Sequence, residues 1–183
     1  MAEALSLTDW VVLALVAEEP RHGFAVAREL GPAAPVGTVW TVARPLVYRA
    51  LDHLRSAGLI VPDRTEAGAQ GPHRTVYRVT RSGGARCRHW LDRPVDHPRE
   101  VRTELLVKLV LRARRGRPCA PLARRQLERF APVAEALEAR ARAATGTDRI
   151  AARWKVESLE AIRRTLTAVV ADEAGRTRGL RPR

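Results

Sequence analysis

The sequence predicts a mainly α-helical chain with a small β-wing: a winged helix-turn-helix followed by a C-terminal helical domain. Three observations predict it. Over the first 92 positions the apolar spacing reads helix, helix, strand, helix, strand, strand, which is the element order of a winged helix-turn-helix. Beyond a proline-containing break at 92–98, only helical spacing recurs, through to 173. The charge is also divided: the 183-residue chain carries 33 Lys+Arg against 20 Asp+Glu, for a net +13. Residues 1–60 hold five arginines and six acidic residues, whereas 93–183 hold 22 basic and 11 acidic ones. The expected organisation is therefore a DNA-binding domain at 1–92, a helical dimerisation domain at 99–173 and a basic disordered tail at 174–183.

The first element runs from Ser6 to Glu19, with Ser6 or Thr8 as the cap and Leu7, Val11, Val12, Leu13 and Leu15 giving a broad apolar face. Pro20 ends it, and His22-Gly23 reads as a tight connection. A second helix follows from Phe24 to Leu30, with Phe24, Ala27 and Leu30 inward and Gly31-Pro32 as the stop. The β-branched run TVWTV at 38–42 reads as a short strand. Pro45 at a first helical position opens the next helix, where Leu46, Val47, Ala50, Leu51, Leu54 and Ala57 form one face and Gly58 closes it. LIVPDR (59–64) and TVYRVT (75–80) read as two strands joined by the polar loop TEAGAQGPH, and Thr80 caps a helix from Arg81 to Leu91. The C-terminal region reads as three helices, Glu100–Arg115, Pro121–Ala144 with a bend at Pro132, and Asp148–Glu173.

Composition narrows the function. A hydrophobic fraction of 45% and a charged fraction of 29% exclude wholesale disorder and low-complexity architecture. No apolar run approaches the roughly 18–20 residues of a membrane span, and the acidic N-terminus lacks the basic start of a secretory leader, so the expected location is cytoplasmic and nucleoid-associated. Cys87 and Cys119 stand apart with no Cys/His cluster, so no metal site and no cofactor are expected. Nor is there a phosphate loop, nucleophile elbow or Ser/His/Asp set, which argues against an enzyme. A strongly basic chain attracts nucleic acid or an anionic membrane. The mixture of Glu with Arg on the C-terminal helices favours a bundle over a membrane surface. The other reading that stays open is a non-specific architectural DNA- or RNA-binding protein, whose affinity would come from counterion release.

Several residues are candidates for DNA contact. On the polar front of the helix at 45–57, Tyr48 can hydrogen-bond a phosphate or serve as a half-buried core tyrosine. Arg44 and Arg49 can reach phosphates or a guanine edge, or lie on a solvated face. His53 sits one turn further along. In the wing, Arg74 is the leading phosphate clamp, with His73 beside it.

At these residues a family resemblance becomes specific. The segments LTDWVVLALVAEEPRHGFAVAREL, RPLVYRALDHLRSAGLI and HRTVYRVTRSGG resemble the successive signature blocks of the PadR family of transcriptional regulators. The matching positions are Pro20, His22, Gly23 and Phe24, then Leu46, Tyr48, Leu51, Leu54, Gly58 and Leu59, and finally Tyr77, Val79, Thr80 and Gly83. The resemblance covers residues 5–92 well and 104–116 more loosely. It implies a homodimeric winged-helix repressor of operator DNA, released by a small aromatic or other hydrophobic effector, with a C-terminal helical domain supplying the dimer contacts together with the first helix. On that basis Val11, Leu15, Ile150, Trp154, Leu159, Ile162 and Leu166 are expected at the dimer interface, an intramolecular bundle being the other reading of the last stripe. Trp10 and Trp154 lie on those two stripes and are candidates for an effector pocket, with core packing as the alternative. TVWTVARP before the recognition helix and the arginine-rich C-terminal region depart from the family pattern.

Overall fold

In the computed structural model, residues 4–68 and 71–179 are described. They form α1 (Leu7–Glu18), β1 (Arg21–His22), α2 (Gly23–Glu29), α3 (Arg44–Ser56), β2 (Ile60–Gly68), β3 (Gly71–Val79), α4 (Arg81–Asp92), α5 (Leu106–Arg114), α6 (Ala120–Ala143) and α7 (Asp148–Gly179). A 3-10 turn at Pro98–Glu100 and a π turn at Val101–Leu105 lead into α5. The chain divides into two compact units. One comprises the residues up to Arg93 together with Leu106–Arg115; the other comprises Pro94–Leu105 together with Gly116 onward.

The first unit is built around α1. Ser6 caps it in a reciprocal box with Asp9: the Ser6 hydroxyl accepts from Asp9 N at 3.2 Å, and Asp9 accepts from Ser6 N at 2.9 Å. Val11 through Val16 are all buried, because α1 touches α2, α3, α4, α5 and β3, and a helix apolar on every side can only sit inside. This places Val11 and Leu15, expected at a dimer interface, inside the single chain. Both are fully enclosed in the chain's own core, alongside Val107 and Leu111 of α5.

The strand expected at 38–42 is absent. Those residues form turns, with Thr38 Oγ1 donating to Pro35 O and Thr41 Oγ1 to Gly37 O, while Val36 and Val42 point into the core. The third strand is instead the two-residue β1, read from sequence as part of a connection. It takes the free edge of β3 through Arg21 opposite Tyr77 and His22 opposite Val76, giving the antiparallel order β1-β3-β2. The hairpin is longer than expected, since much of the predicted loop pairs as ladder, including Glu66 opposite Arg74 and Gly68 opposite Gly71. Thr80 caps α4 by accepting from Gly83 N at 3.0 Å while its hydroxyl donates to Gly58 O at 2.9 Å.

The helix read as a single Glu100–Arg115 is broken at the π turn, and the two units divide there. Its second half, α5, belongs to the winged-helix unit rather than to the C-terminal domain. Its basic residues, with Arg115 just past its end, serve the carbonyl ends of the other helices, where a cation is favoured. The buried Lys108 Nζ donates to Arg93 O at 2.9 Å, Arg112 donates to Leu91 O and to Asp92, and Arg115 donates to Ala17 O. Arg114 bridges Glu18 and Glu29; its pKa is raised above the ordinary arginine value, first by the Glu18 hydrogen bond, against the lowering effect of partial burial.

In the second unit α6 packs along α7. Ala152, Leu159, Leu166 and Glu173 recur every seven residues on α7; the first three are buried. The Glu173 carboxylate accepts from Cys119 N at 2.5 Å and Ala120 N at 2.9 Å, closing the exposed N–H groups at the start of α6. The buried Gln126 side chain pairs like a strand with Val95, donating to its carbonyl at 3.0 Å and accepting from its N–H at 2.7 Å. α6 runs through Pro132. α7 continues to Gly179, so residues 174–179 are helical and not the disordered tail expected; 180–183 lie outside the described residues.

Candidate nucleic-acid interface

The outward end of the first unit is assembled from the start of α2, the N-terminal half of α3 and the β3 side of the wing. The local sequence explains the assembly. His22 caps α2 with its own ring, Nδ1 accepting from Ala25 N at 3.1 Å. Gly23 follows, and it must be glycine: an added Cβ would lie 2.7 Å from Tyr48 Cε1 and 3.1 Å from Leu51 Cδ1. That missing side chain lets α3 lie against α2 and seats the Tyr48 ring. Pro45 sets the first turn of α3, and Val47, Ala50, Leu51 and Leu54 bury its back.

The opposite face of α3 presents Arg44, Tyr48 and Asp52 at successive turns, with Arg49 beside them, all exposed. His73 and Arg74 are exposed on the wing. Tyr48, Asp52, His73 and Arg74 line one open groove of about 350 Å³ together with His22, Gly23, Phe24, Leu51, Thr75 and Tyr77. The structure thus collects Tyr48, His73 and Arg74 at one groove, and Arg44 joins them through Phe24, lying 4.8 Å from its ring centroid. Arg49 is exposed on α3 without lining the groove. His53 departs from the expected contact set: its Nδ1 lies 3.1 Å from the buried Asp9 carboxylate, so that edge of the ring anchors α3 to α1.

Ion pairing sorts the wing arginines. Arg64 is held by Asp63 at 2.8 Å and Glu66 at 2.7 Å, and these hydrogen bonds, Glu66 first, raise its pKa above the ordinary value. Arg78 reaches Asp63 at 3.3 Å. Among the described residues, neither Arg44 nor Arg74 has a carboxylate within salt-bridge distance. An arginine without an internal counter-ion, exposed beside a helix front, offers its guanidinium fork to a phosphate or a base edge.

Sequence reasoning missed Phe24. Read as an inward residue, it is 40% exposed at the centre of this face. The signal was its place in the first turn after the His22 cap, where a seven-residue helix has little face to bury. Trp10 stacks on Trp90 with centroids 5.5 Å apart and rings 3° from parallel, Arg86 lies over Trp10 and the Lys108 ammonium over Trp90. Trp10, a candidate for an effector pocket, is thus packed on Trp90 within the first unit. In the second unit Leu159 and Leu166, expected at a dimer seam, are buried on the side of α7 that packs on α6, because the heptad stripe faces the chain's own helix. Ile150 and Trp154 are 76% and 72% exposed, and Ile162 is half-buried.

A capped helix pair, an exposed α3 front and a paired wing define a winged-helix DNA-binding domain. Residues 12–89, which lie within the first unit, match the model of the transcriptional regulator PadR-like family. That family is one of transcriptional regulators, not enzymes. No curated protein matches the chain. Similar solved structures include Bacillus subtilis PadR in complex with operator DNA, at 18% identity over 91% of this chain and 98% of that one, with a TM-score of 0.47. The same protein in complex with p-coumaric acid matches at 16% identity over 91% and 98%, with a TM-score of 0.43. The virulence activator AphA of Vibrio cholerae matches at 20% identity over 93% and 99%, with a TM-score of 0.38. Among the described residues no helix is long and apolar enough to cross a membrane.

Proposed function

We propose that this chain is a sequence-specific transcriptional regulator that binds operator DNA as a homodimer, with two α3 helices addressing half-sites about one helical turn, roughly 34 Å, apart. The observation that carries the reading is the outward face on which Arg44, Tyr48, Arg49, His73 and Arg74 stand, Arg44 and Arg74 having no carboxylate counter-ion among the described residues. Phosphate contacts from the wing would fix the register, and the front of α3 would read base edges. The exposed Ile150 and Trp154 on α7 support self-association, since two large apolar side chains are left in water by the single chain. Repression, and release by a small hydrophobic or aromatic effector, complete the reading; their support is the resemblance of the first unit to PadR-like regulators.

The test is selection from a random duplex library with the purified protein at physiological salt, followed by sequencing. A near-palindrome with half-sites about one turn apart supports the reading. Binding without an enriched motif, falling steeply with salt for every sequence, would replace it with the architectural one. On the recovered site, Tyr48→Ala combined with Arg49→Ala abolishes binding while the fold and the oligomeric state persist, because both side chains face outward. Transcription from a promoter carrying the site then separates repression from activation.

A further inference from the structure

Phe24 is an aromatic side chain 40% exposed at the centre of a cationic surface, where packing alone gives it no role. Its ring neighbours the His22 ring, 6.3 Å away between centroids and 29° from parallel, and His22 is itself held as the cap of α2. Two guanidiniums from different elements gather on it. Arg44 of α3 lies 4.8 Å from the ring centroid and Arg74 of β3 lies 5.1 Å from it, both within the range of a cation–π contact. Like charges brought to one ring repel each other, and neither arginine has a carboxylate partner among the described residues to relieve that repulsion. An anionic group bound by both would relieve it. Arginine also loses much rotamer freedom on binding, and a side chain already held in place loses less.

We infer that Phe24 is a positioning residue for DNA binding, its ring presetting Arg44 of the recognition helix and Arg74 of the wing for one stretch of phosphate backbone. The inference rests on the reading of this face as the DNA interface. It makes Phe24 the coupling between wing and recognition helix, acting through the two arginines rather than by touching DNA. Leucine at this position keeps an apolar side chain but removes the π face; tyrosine keeps the face.

The experiment is a set of dissociation constants for a mixed-sequence DNA duplex, which needs no knowledge of the operator, at an ionic strength low enough for every variant to bind measurably. Phe24→Leu weakens binding about tenfold, the scale of having to order two arginine side chains that the ring no longer holds. Phe24→Tyr restores the parent's affinity, and urea midpoints of all variants match. In the Arg44→Ala/Arg74→Ala background, Phe24→Leu has no further effect. Parent-like binding by Phe24→Leu, or the same loss with and without the two arginines, overturns the positioning role while leaving the interface in place. Parent-like binding by Arg44→Ala/Arg74→Ala is the different result that removes the interface itself, and this inference with it.

Discussion

Gly83 and Gly84 stand side by side in the first turn of α4, and the structure assigns them opposite responses to the same substitution. A Cβ at Gly83 would lie 2.0 Å from Leu59 O and 3.0 Å from Val79 Cγ2. A carbon and a carbonyl oxygen come to rest at roughly 3.3–3.6 Å, so Gly83→Ala must drive two backbone segments apart by about 1.3 Å or more. Leu59 O is not free to yield, since it accepts from Thr80 N at 3.0 Å, the bond that leads into the α4 cap. Moving it costs about 1 kcal/mol for the backbone hydrogen bond, about 1 kcal/mol for the Thr80 cap and about 1–3 kcal/mol of overpacking. The expected loss is about 3–5 kcal/mol, which at a urea m-value of about 2 kcal/mol/M lowers the unfolding midpoint by about 1.5–2.5 M. At Gly84 the nearest atom to an added Cβ is Arg88 Nη1 at 3.4 Å, ordinary contact with a flexible side chain. Gly84→Ala should therefore gain about 0.5–1 kcal/mol from helix propensity. Urea melts of both variants, followed by far-UV circular dichroism, give the answer. A Gly83→Ala midpoint equal to the parent's, or equal losses at both positions, would refute the argument.

Two further predictions concern the positions expected to join subunits. Leu15→Ala removes a fully buried side chain and should cost about 2–5 kcal/mol in a thermal or urea melt; sedimentation of the folded variant should show the parent's oligomeric state, because Leu15 faces its own core. Trp154→Glu should do the reverse, shifting the sedimentation profile towards monomer while the chain's unfolding midpoint at low concentration stays within about 0.5 kcal/mol of the parent's equivalent, as expected for a surface change.

The parts legible in the sequence were those whose physics is local. The α3 pattern named Val47, Ala50, Leu51 and Leu54 as buried correctly, although Leu46 and Ala57, placed on the same face, are exposed at its ends, and Ser6 and Thr80 were caps by residue type as well as by position. What misled was propensity without a partner. TVWTV has strand-forming side chains, but a strand needs an edge to pair with, and β3 offered its edge to Arg21 and His22. No local rule marks a two-residue strand. Polar residues inside the fold carry no local mark: Lys108, Arg112 and Gln126 are each buried because a carbonyl end or a strand-like backbone distant in sequence meets it. Of the candidate interface, Arg44, Tyr48 and Arg49 followed from the helix front, and His73 and Arg74 from the wing. Phe24 did not, because its partners come from two other elements.

The division of α5 from its flanks also bears on how such a protein can be reshuffled. A recombination joint at the end of α4 would exchange the DNA-reading helices while leaving behind Val107 and Leu111, which complete the same core, and the arginines that serve the ends of α1 and α4. The inherited cassette runs to Arg115, and it carries the π turn and the segment from Pro94 to Leu105 of the other unit inside it. Chimaeras joined after Arg115 should keep the first unit's core whole, but they part Val95 from the Gln126 side chain that pairs with its backbone, so a matching change at 126 would have to travel with the block.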